Sequence, residues 1–431
     1  MGNIPGVNVC GFIDGEFGLG ESVRSTIRSL ESQGIPVAIN NLNIEIAQRR
    51  KDTSFGNFAA DNPYPINIIQ LNGDRIHELE KAFKGEYLKG KYNIGYWAWE
   101  LQDFPDNWRS GLYAFDEIWA LSNYCADGFA RVSPVPVLGM PLSVESRTSS
   151  VTRAQLKLPE DRFIFLFTFD YGSVYERKNP LGAIRAFKEA FGADERVLLF
   201  IKSINGNLLQ KDNLNIVKDA IGGNPNIRMA DGVWDRADVM GLMANCDAYV
   251  SLHRSEGFGF TIAEAMSFGK PVIATAYSAP TEFMNLNNSF PVRYRLVEME
   301  RDYPPYKKGS VWADPDVSHA AESMRYVFEH PEEAARTGKR AAADIKETIS
   351  PEVIGRRMKN RLEYIAFLKG DFQTAAEPGE APRSAAHEIE IVKLEGKVQY
   401  LEEYIEVMKQ SFFWKLRDRW WRLKRFWNYK D

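Results

Sequence analysis

Short apolar runs that alternate with helical patterns restrict the fold of this chain more than any other feature of its sequence. The runs are continuous and flanked by turn residues, and patterns such as ESVRSTIRSLESQG separate most of them. The first runs are VNVCGFI, INIIQL (66–71), YNIGYWAW (92–99), EIWAL (117–121) and VPVL (135–138). Such alternation is typical of parallel β-sheets that helices cover on both faces. The sequence therefore predicts an α/β fold.

The alternation stops at a polar connection, TSSVTRAQLKLPED, and then starts again. The second set contains FIFLFTF (163–169), VLLFIKS (197–203), NIRMA, DAYVSL and KPVIAT. A chain of 431 residues is long enough for two domains. We therefore predict two Rossmann-like parallel-sheet domains, at residues 1–147 and 148–350. Because ligands bind outside the carboxyl ends of parallel strands, a large substrate would lie in the cleft between the domains.

Composition argues against several classes of protein. The sequence has three widely spaced cysteines, which do not suit a disulfide framework or a zinc cluster. It contains no run of about 18 apolar residues, and its start lacks the features of a signal peptide. A formal net charge of −4 does not suit a nucleic-acid binder. We expect a cytoplasmic location.

The C-terminal part of the sequence changes character twice. A helical pattern over 351–370 is followed at 371–388 by a stretch rich in Pro, Gly, Ala and Glu, which predicts a flexible linker. Within 389–431 apolar residues then recur at alternating steps of three and four, which predicts a coiled coil. These positions are Ile391, Leu394, Val398, Leu401, Ile405, Met408 and Phe412. We expect the segment 391–412 either to self-associate or to pack against the body.

Residues 411–431 predict a basic amphipathic helix. They hold seven Lys/Arg, two Asp and four of the ten tryptophans. At helical spacing one apolar stripe is formed by Phe412, Phe413, Leu416, Trp420, Leu423 and Trp427. A Trp-rich face flanked by basic residues suits the surface of an anionic membrane. The alternative is a surface for a partner helix.

A tight turn between a strand and a helix carries two glutamates. In DAYVSLHRSEGFGFTIAEAMSFG, Glu256 precedes the turn and Glu264 lies about one turn inside the helix that follows. Glycines let the backbone approach a ligand, and the free N–H groups at a helix start favour a phosphate. We expect an anion at residues 259–262. Two glutamates near a helix start can also serve only to complement the helix dipole.

The spacing of the two acids suits a nucleotide–sugar. The Glu264 carboxylate could accept hydrogen bonds from both hydroxyls of a ribose, and Glu256 would meet the sugar on the other side of the diphosphate. In this segment we predict that the donor contacts Gly257, Phe258, Gly259, Phe260, Thr261 and Glu264.

The segment EGFGFTIAEAMSFGKPVIAT, with its E-x7-E spacing, resembles the motif of the retaining GT-B glycosyltransferases of family 4, the glycosyl transferases group 1. The resemblance covers about residues 5–369 and includes the late helix, which in this family crosses back to the first domain. It implies a GT-B fold and transfer of a sugar from a nucleotide-diphosphate donor with retained anomeric configuration. It also implies that no metal ion or other cofactor takes part.

The resemblance assigns roles to basic residues of the second domain. Arg177 and Lys178 match the pair that grips the donor diphosphate in this family. The arginine that the family carries in a Gly-Arg pair just after the preceding strand is absent, because Asp-Tyr-Gly stands there. Lys202, at the end of the next strand, is the candidate replacement. We expect Arg177, Lys178 and Glu256 to be catalytic.

In the first domain a glycine loop and one acid are candidates. The loop follows the first strand and contains Gly15, Gly18, Leu19 and Gly20. It does not complete a G-x-G-x-x-G dinucleotide motif, and the resemblance implies that it lines the acceptor side and approaches the donor phosphates. Glu100, after YNIGYWAW, stands where many relatives have a histidine, and it is the candidate catalytic group there. Tyr277, after PVIAT, is expected to contact the transferred sugar.

Two further motifs are expected to have structural roles. His253 is expected to tune local hydrogen bonds, and Asp314-Pro315-Asp316 is expected to cap the helix VSHAAESM; we predict no metal site. The resemblance and the tail together predict a peripheral enzyme at the inner face of the cytoplasmic membrane. It would act on a glycan or lipid-linked acceptor in bacterial surface polysaccharide synthesis, such as O-antigen or capsule. The alternatives are a nucleotide-sugar epimerase and a non-catalytic scaffold.

Overall fold

The computed structural model describes residues 4–44, 46 and 49–369. It contains two six-stranded sheets, and we call the parts built on them the N-terminal and C-terminal domains. The predicted linker at 371–388 and the predicted coiled coil and amphipathic helix within 389–431 lie outside the described residues.

The N-terminal domain is built on a parallel sheet with strand order β2-β1-β3-β4-β5-β6. The strands are β1 (Val7–Gly11), β2 (Val37–Asn41), β3 (Ile66–Ile69), β4 (Tyr92–Trp97), β5 (Glu117–Ala120) and β6 (Val137–Gly139). The helices are α1 (Gly18–Glu31), α2 (Ile76–Ala82), α3 (Arg109–Leu112) and α4 (Asn123–Ala130). Apolar side chains of the central strands are buried, because helices cover the sheet.

The C-terminal domain repeats this plan with strand order β12-β11-β10-β7-β8-β9. Its strands are β7 (Phe163–Asp170), β8 (Val197–Ile204), β9 (Ile227–Asp231), β10 (Ala248–Ser251), β11 (Val272–Thr275) and β12 (Phe290–Val292). Its first helices are α5 (Tyr175–Lys178), α6 (Pro180–Phe191), α7 (Gly206–Leu209), α8 (Lys211–Ile221), α9 (Arg236–Asn245) and α10 (Phe260–Ser267). Later helices are α11 (Val317–Glu329), α12 (Pro331–Ile349) and α13 (Pro351–Leu368).

The predicted α/β fold with two parallel sheets in tandem is confirmed. The chain leaves the first sheet at Gly139 and enters the second at Phe163. The run VPVL forms a shorter strand than predicted, since β6 begins at Val137, directly after Pro136. Proline lacks an N–H group for strand pairing, which accounts for the later start.

A two-stranded hairpin was not predicted. It consists of β13 (Tyr294–Glu298) and β14 (Val311–Pro315), which pair antiparallel and are joined by residues 299–310. The hairpin follows β12 in the C-terminal domain, yet Met299, Tyr306 and Trp312 are buried in the same apolar cluster as Trp99 and Trp108 of the N-terminal domain. It therefore packs against both domains.

The helix α13 packs against the N-terminal domain. A Cβ atom on Gly355 would lie 2.1 Å from the carbonyl oxygen of Ser29 in α1, so the two helices touch along their backbones. Arg361 pairs with the fully buried Glu117, which also accepts hydrogen bonds from Trp119 Nε1 (2.7 Å) and the Tyr92 hydroxyl (3.0 Å). These partners compensate for the desolvation of the Glu117 carboxylate.

None of the helices in the described part of the chain is long and apolar enough to cross a membrane. The three cysteines, Cys10, Cys125 and Cys246, are unpaired and buried. They behave as small core residues.

Candidate active site

The glycine turn lies between β10 and α10, as predicted. Gly259 has φ +86°, a left-handed conformation that glycine adopts without strain, and it directly precedes the helix start at Phe260. Gly257 lies against the N-terminal domain, because a Cβ atom there would meet the carbonyl oxygen of Trp99 at 2.2 Å. The N–H groups of Ile262 and Ala263 donate to the carbonyl oxygen of Gly259 at 3.0 and 3.1 Å, so the N–H groups left over at the helix start are those of Phe260 and Thr261. They are available donors at the interface of the two domains.

Glu256 lies between two cations of α5. Its Oε2 atom is 3.1 Å from Arg177 Nη1, and its Oε1 atom is 2.5 Å from Lys178 Nζ. Burial opposes ionisation of this carboxyl group, but the charges of Lys178 and Arg177 outweigh that effect and lower its pKa to about 2. Glu256 is therefore ionised at neutral pH, and it forms ion pairs with both Arg177 and Lys178.

The two cations differ in their surroundings. Arg177 is almost completely buried, and its Nη1 atom also donates to the carbonyl oxygen of Ser255 at 2.8 Å. Its Nε atom has no hydrogen-bond partner among residues 4–44, 46 and 49–369. Lys178 is partly exposed at its side chain, and burial lowers its pKa in spite of the Glu256 charge. Lys178 is thus the cation that a ligand can reach more easily.

Glu100 joins this cluster from the N-terminal domain. Its Oε1 atom is 3.6 Å from Arg177 Nη2, and its Oε2 atom accepts a hydrogen bond of 2.8 Å from the hydroxyl of Tyr306. The structure therefore brings together four predicted catalytic residues, Glu100, Arg177, Lys178 and Glu256. With two carboxylates and two cations, the cluster has no net charge.

Direct hydrogen bonds hold the two domains together beside this cluster. The Ser122 hydroxyl donates to the carbonyl oxygen of Gly257 at 2.8 Å. The carboxylate of Glu282 accepts from the backbone N–H groups of Asn123 (3.1 Å) and Tyr124 (2.9 Å), which open α4. A C-terminal-domain acid thus caps an N-terminal-domain helix, where an anion is favoured by the helix dipole.

Glu264 lines a separate small cavity between the domains. The cavity is also lined by Glu21 and Arg28 of α1 and by Arg147. Burial, and then the nearby charge of Glu21, raise the pKa of Glu264 to about 7. Glu264 is therefore poised to change its protonation state near neutral pH, whereas Glu256 is not.

Glu21 is the centre of an arginine cluster that the sequence did not reveal. Its carboxylate lies 2.9 Å from Arg24, 2.6 Å from Arg28, 2.8 Å from Arg236 and 3.5 Å from Arg147. Burial works against ionisation, yet these cations lower the pKa of Glu21 to about 2. Since Arg236 opens α9, the cluster joins the two domains.

The predicted glycine loop packs on the start of α1. A Cβ atom on Gly20 would lie 2.1 Å from the carbonyl oxygen of Gly15, and Arg24 Nη1 donates to that same oxygen at 2.7 Å. Gly18 is exposed with open space beside it, and Leu19 is partly buried. The loop is thus anchored at Gly15 and Gly20 and accessible at Gly18.

Lys202 does not join the Glu256 cluster. Its Nζ atom donates to the carbonyl oxygens of Ser203 (2.8 Å) and Gly232, and it lies 5.1 Å from the centre of the Trp234 ring. Burial lowers its pKa to about 8, with Asp231 as the opposing charge. The side chain is engaged at the start of the β9–α9 connection.

His253 lies near Glu256 and contacts Tyr277. The buried imidazole contacts the hydroxyl of Ser251 and the carbonyl oxygen of Tyr277, each at 3.2 Å. Burial lowers the pKa of His253 to about 4, so the ring is neutral and tunes hydrogen bonds, as predicted. The Tyr277 hydroxyl lies 3.1 Å from that of Tyr124 in the N-terminal domain. The Thr261 hydroxyl accepts from Tyr249 at 2.8 Å.

The Asp-Pro-Asp sequence has structural partners. Asp316 caps α11 by accepting from the backbone N–H of His319 at 3.0 Å, which confirms the predicted cap. Asp314 pairs with Arg254 (2.9 Å) and Arg295 (3.0 Å). In the part of the chain that the structure describes, no group of three or more His, Cys, Asp or Glu side chains could hold a metal ion.

Comparison with known proteins places this arrangement in a class. Residues 149–344 match the family model of glycosyl transferases group 1. They carry the cation pair, the glycine turn and both glutamates of the E-x7-E motif. The chain is therefore a glycosyltransferase with a group 1 domain. No curated protein matches the chain by sequence.

Solved structures share the fold over nearly the whole described chain. Sucrose-phosphate synthase from Thermosynechococcus elongatus is 14% identical, with a TM-score of 0.61 over 84% of this chain and 99% of that chain. HepE from Anabaena, in complex with UDP and glucose, is 15% identical, with a TM-score of 0.58 over 84% and 100%. A glycosyltransferase from Rickettsia africae is 15% identical, with a TM-score of 0.58 over 83% and 97%. The fold is GT-B.

Proposed function

We propose that this chain is a retaining, metal-independent glycosyltransferase that moves a sugar from a nucleotide-diphosphate donor to a carbohydrate acceptor. The observation that carries the proposal is the position of Glu256, which lies between Arg177 and Lys178 next to the start of α10. Cations, a helix start and an ionised acid therefore meet at one point of the interdomain cleft.

In this proposal the leaving diphosphate lies at residues 259–262. Negative charge grows on it in the transition state, and preorganised donors stabilise such charge. Lys178 would turn from Glu256 to the diphosphate, because its side chain is the more accessible of the two cations. The N–H groups of Phe260 and Thr261 at the start of α10 would supply further donors.

Glu256 would then face the transferred sugar. The anomeric carbon acquires positive charge as the bond to the diphosphate lengthens, and an ionised carboxylate stabilises that charge. With Lys178 and Arg177 beside it, Glu256 has a pKa of about 2, and Arg177 stays as its charged partner when Lys178 turns to the diphosphate. Glu264 would accept hydrogen bonds from the ribose hydroxyls, and the loop at Gly15–Gly20 would close over the phosphates. Retention of configuration rests on the family resemblance.

The acceptor and the cellular setting form a further part of the proposal. We place a glycan or lipid-linked acceptor beside Glu100 and the enzyme at the inner face of the cytoplasmic membrane, in synthesis of a bacterial surface polysaccharide. Residues 411–431 would bind the anionic surface, and 391–412 would form a homo-oligomer. The end of α13 supports this arrangement, because Tyr364, Phe367 and Leu368 are exposed where the described chain leads into the tail.

The test is transfer from a panel of UDP-, GDP- and dTDP-sugars to a lipid-linked acceptor extract, with the anomeric configuration of the product read by NMR. Wild-type protein should transfer one sugar with retention, and Glu256→Gln should lose activity by about 100-fold or more. Glu195→Gln, which changes an exposed acid in the α6–β8 connection, is the matched control.

Other outcomes would support the alternatives. Interconversion of a donor in the absence of acceptor would indicate an epimerase. Binding of a donor with no turnover in any mixture would indicate a scaffold. Wild-type rates in Glu256→Gln would contradict the role of this residue.

A further inference from the structure

The hairpin that the sequence did not predict places one hydroxyl group inside the catalytic cluster. Tyr306 lies in the connection between β13 and β14 and is only 3% exposed. Two backbone hydrogen bonds with Tyr303, of 2.9 and 2.8 Å, fix the local turn. The ring packs 5.2 Å from that of Trp99, the residue before Glu100. Tyr306 is thus held beside Glu100, just after β4, although the two residues are 206 positions apart in sequence.

Tyr306 is the first member of a continuous chain of polar contacts. Its hydroxyl donates to Glu100 Oε2 at 2.8 Å, while Glu100 Oε1 lies 3.6 Å from Arg177 Nη2. Arg177 Nη1 in turn lies 3.1 Å from Glu256 Oε2. Tyr306 therefore contacts Glu100. Glu100 of the N-terminal domain and Glu256 of the C-terminal domain both lie beside the guanidinium of Arg177.

The hairpin is fixed firmly relative to Glu256. The backbone N–H of Ala313 donates to the carbonyl oxygen of Arg254 at 2.9 Å, and the Arg254 side chain pairs with Asp314 at 2.9 Å. The same guanidinium lies 5.3 Å from the centre of the Trp312 ring. Since Arg254 is two residues before Glu256, movement of the hairpin and movement of the catalytic turn are coupled.

Burial and nearby acids determine what the Tyr306 hydroxyl can do. Desolvation raises its pKa well above the usual value, so the phenol stays protonated and remains a hydrogen-bond donor. The Glu100 side chain is about one quarter exposed. A donor on Oε2 leaves Oε1 to face Arg177, and it limits the rotation of the carboxylate.

We propose that Tyr306 is a positioning residue for sugar transfer, whose hydroxyl holds Glu100 against Arg177 and so sets the distance between the two acids of the site. This inference rests on the proposed function. It gives the hairpin a role in the reaction, because Glu100 receives the Tyr306 hydrogen bond only when the hairpin packs against both domains. Tyr306 acts through Glu100 and need not touch substrate itself.

The test compares Tyr306→Phe, which removes only the hydroxyl, with Tyr303→Phe. Tyr303 lies in the same connection, is partly exposed and packs on Trp312, so it is a matched control outside the cluster. Steady-state rates are measured with the donor and acceptor extract that the wild type uses. We expect Tyr306→Phe to lower kcat by about 10- to 100-fold, as the loss of one hydrogen bond to a charged group implies, with the donor KM changed by less than about threefold.

A double-mutant cycle with Glu100→Gln separates positioning from folding. If Tyr306 acts through Glu100, Tyr306→Phe should lower kcat by less than about threefold in the Glu100→Gln background. Equal losses in both backgrounds, or wild-type kcat in Tyr306→Phe, would overturn the inference while leaving the proposed function intact. A wild-type protein that transfers no sugar would overturn the proposed function and this inference with it.

Discussion

The carboxylate of Glu21, in the N-terminal domain, lies 2.8 Å from the guanidinium of Arg236, in the C-terminal domain. Arg24, Arg28 and Arg147 surround the same carboxylate. One buried acid thus holds two helices of different domains, α1 and α9, beside the cavity that Glu264 lines. Changes at Glu21 should therefore affect both stability and domain closure.

Glu21→Gln should lower the free energy of unfolding by about 3 kcal/mol at pH 7, because the pKa of Glu21 falls from 4.5 to about 2 on folding. The stabilisation is complete above pH 4.5 and is lost as pH falls toward 2. Urea titrations at pH 7 and pH 3 measure it. The exposed Glu195→Gln, in the α6–β8 connection, should change little at either pH. An equal effect of Glu21→Gln at both pH values would contradict this.

Glu264 should make nucleotide binding depend on pH. Its pKa is raised to about 7, so the carboxylate that accepts the ribose hydroxyls forms only as pH rises through this value. We expect UDP to bind several-fold more tightly at pH 8 than at pH 6, as measured by calorimetry. In Glu264→Gln the dependence should be lost. A dependence that persists in this variant would assign it to another group.

The same raised pKa has an opposite consequence for stability. Unfolded Glu264 ionises near pH 4.5 and folded Glu264 near 7, so its contribution falls as pH rises between these values. Glu264→Gln lacks this loss. Without ligand, the free energy of unfolding of Glu264→Gln minus that of the wild type should therefore be larger at pH 8 than at pH 4. Urea titrations at both pH values measure the difference, and a pH-independent difference would argue against the shift.

Gly257→Ala should prevent the closed arrangement of the domains. A Cβ atom would lie 2.2 Å from the carbonyl oxygen of Trp99, and the clash is with backbone, which cannot move independently. We expect a larger radius of gyration in solution scattering and a loss of transfer. Gly56→Ala is the control, because a Cβ atom there meets open space. An unchanged radius of gyration in Gly257→Ala would contradict this prediction, because it would show that the backbone at Trp99 moves to accommodate the methyl group.

The sequence predicts those parts of the structure that local rules determine. The apolar runs give both sheets, and the glycines before Phe260 give the turn and the start of α10. Asp316 was predicted as a cap because the acid and the helical pattern are adjacent in sequence. The family resemblance assigns Arg177 and Lys178 beside Glu256, and the three meet because parallel strands place the loops that follow them at one edge of the sheet.

Contacts made by long-range packing could not be predicted. Glu21 and Arg24 look like residues on the polar face of an amphipathic helix, and the sequence does not show that Arg147 and Arg236 approach Glu21 from elsewhere. Tyr306 lies in the segment YPPYKKG, which has no periodicity that would indicate burial. Lys202 was chosen for its charge at a strand end, but the sequence could not show that the carbonyl oxygens of Ser203 and Gly232 engage it.

The central claim is that protein cations and the start of α10 hold the donor diphosphate without a divalent ion. Calorimetric titration of UDP into wild type and Lys178→Ala, each with EDTA and with Mn²⁺, tests it most directly. We expect equal wild-type affinity in both conditions and a loss of about 10- to 100-fold in Lys178→Ala, as the loss of a charge-assisted hydrogen bond implies. Wild-type binding that needs Mn²⁺, or unchanged affinity in Lys178→Ala, would contradict the claim.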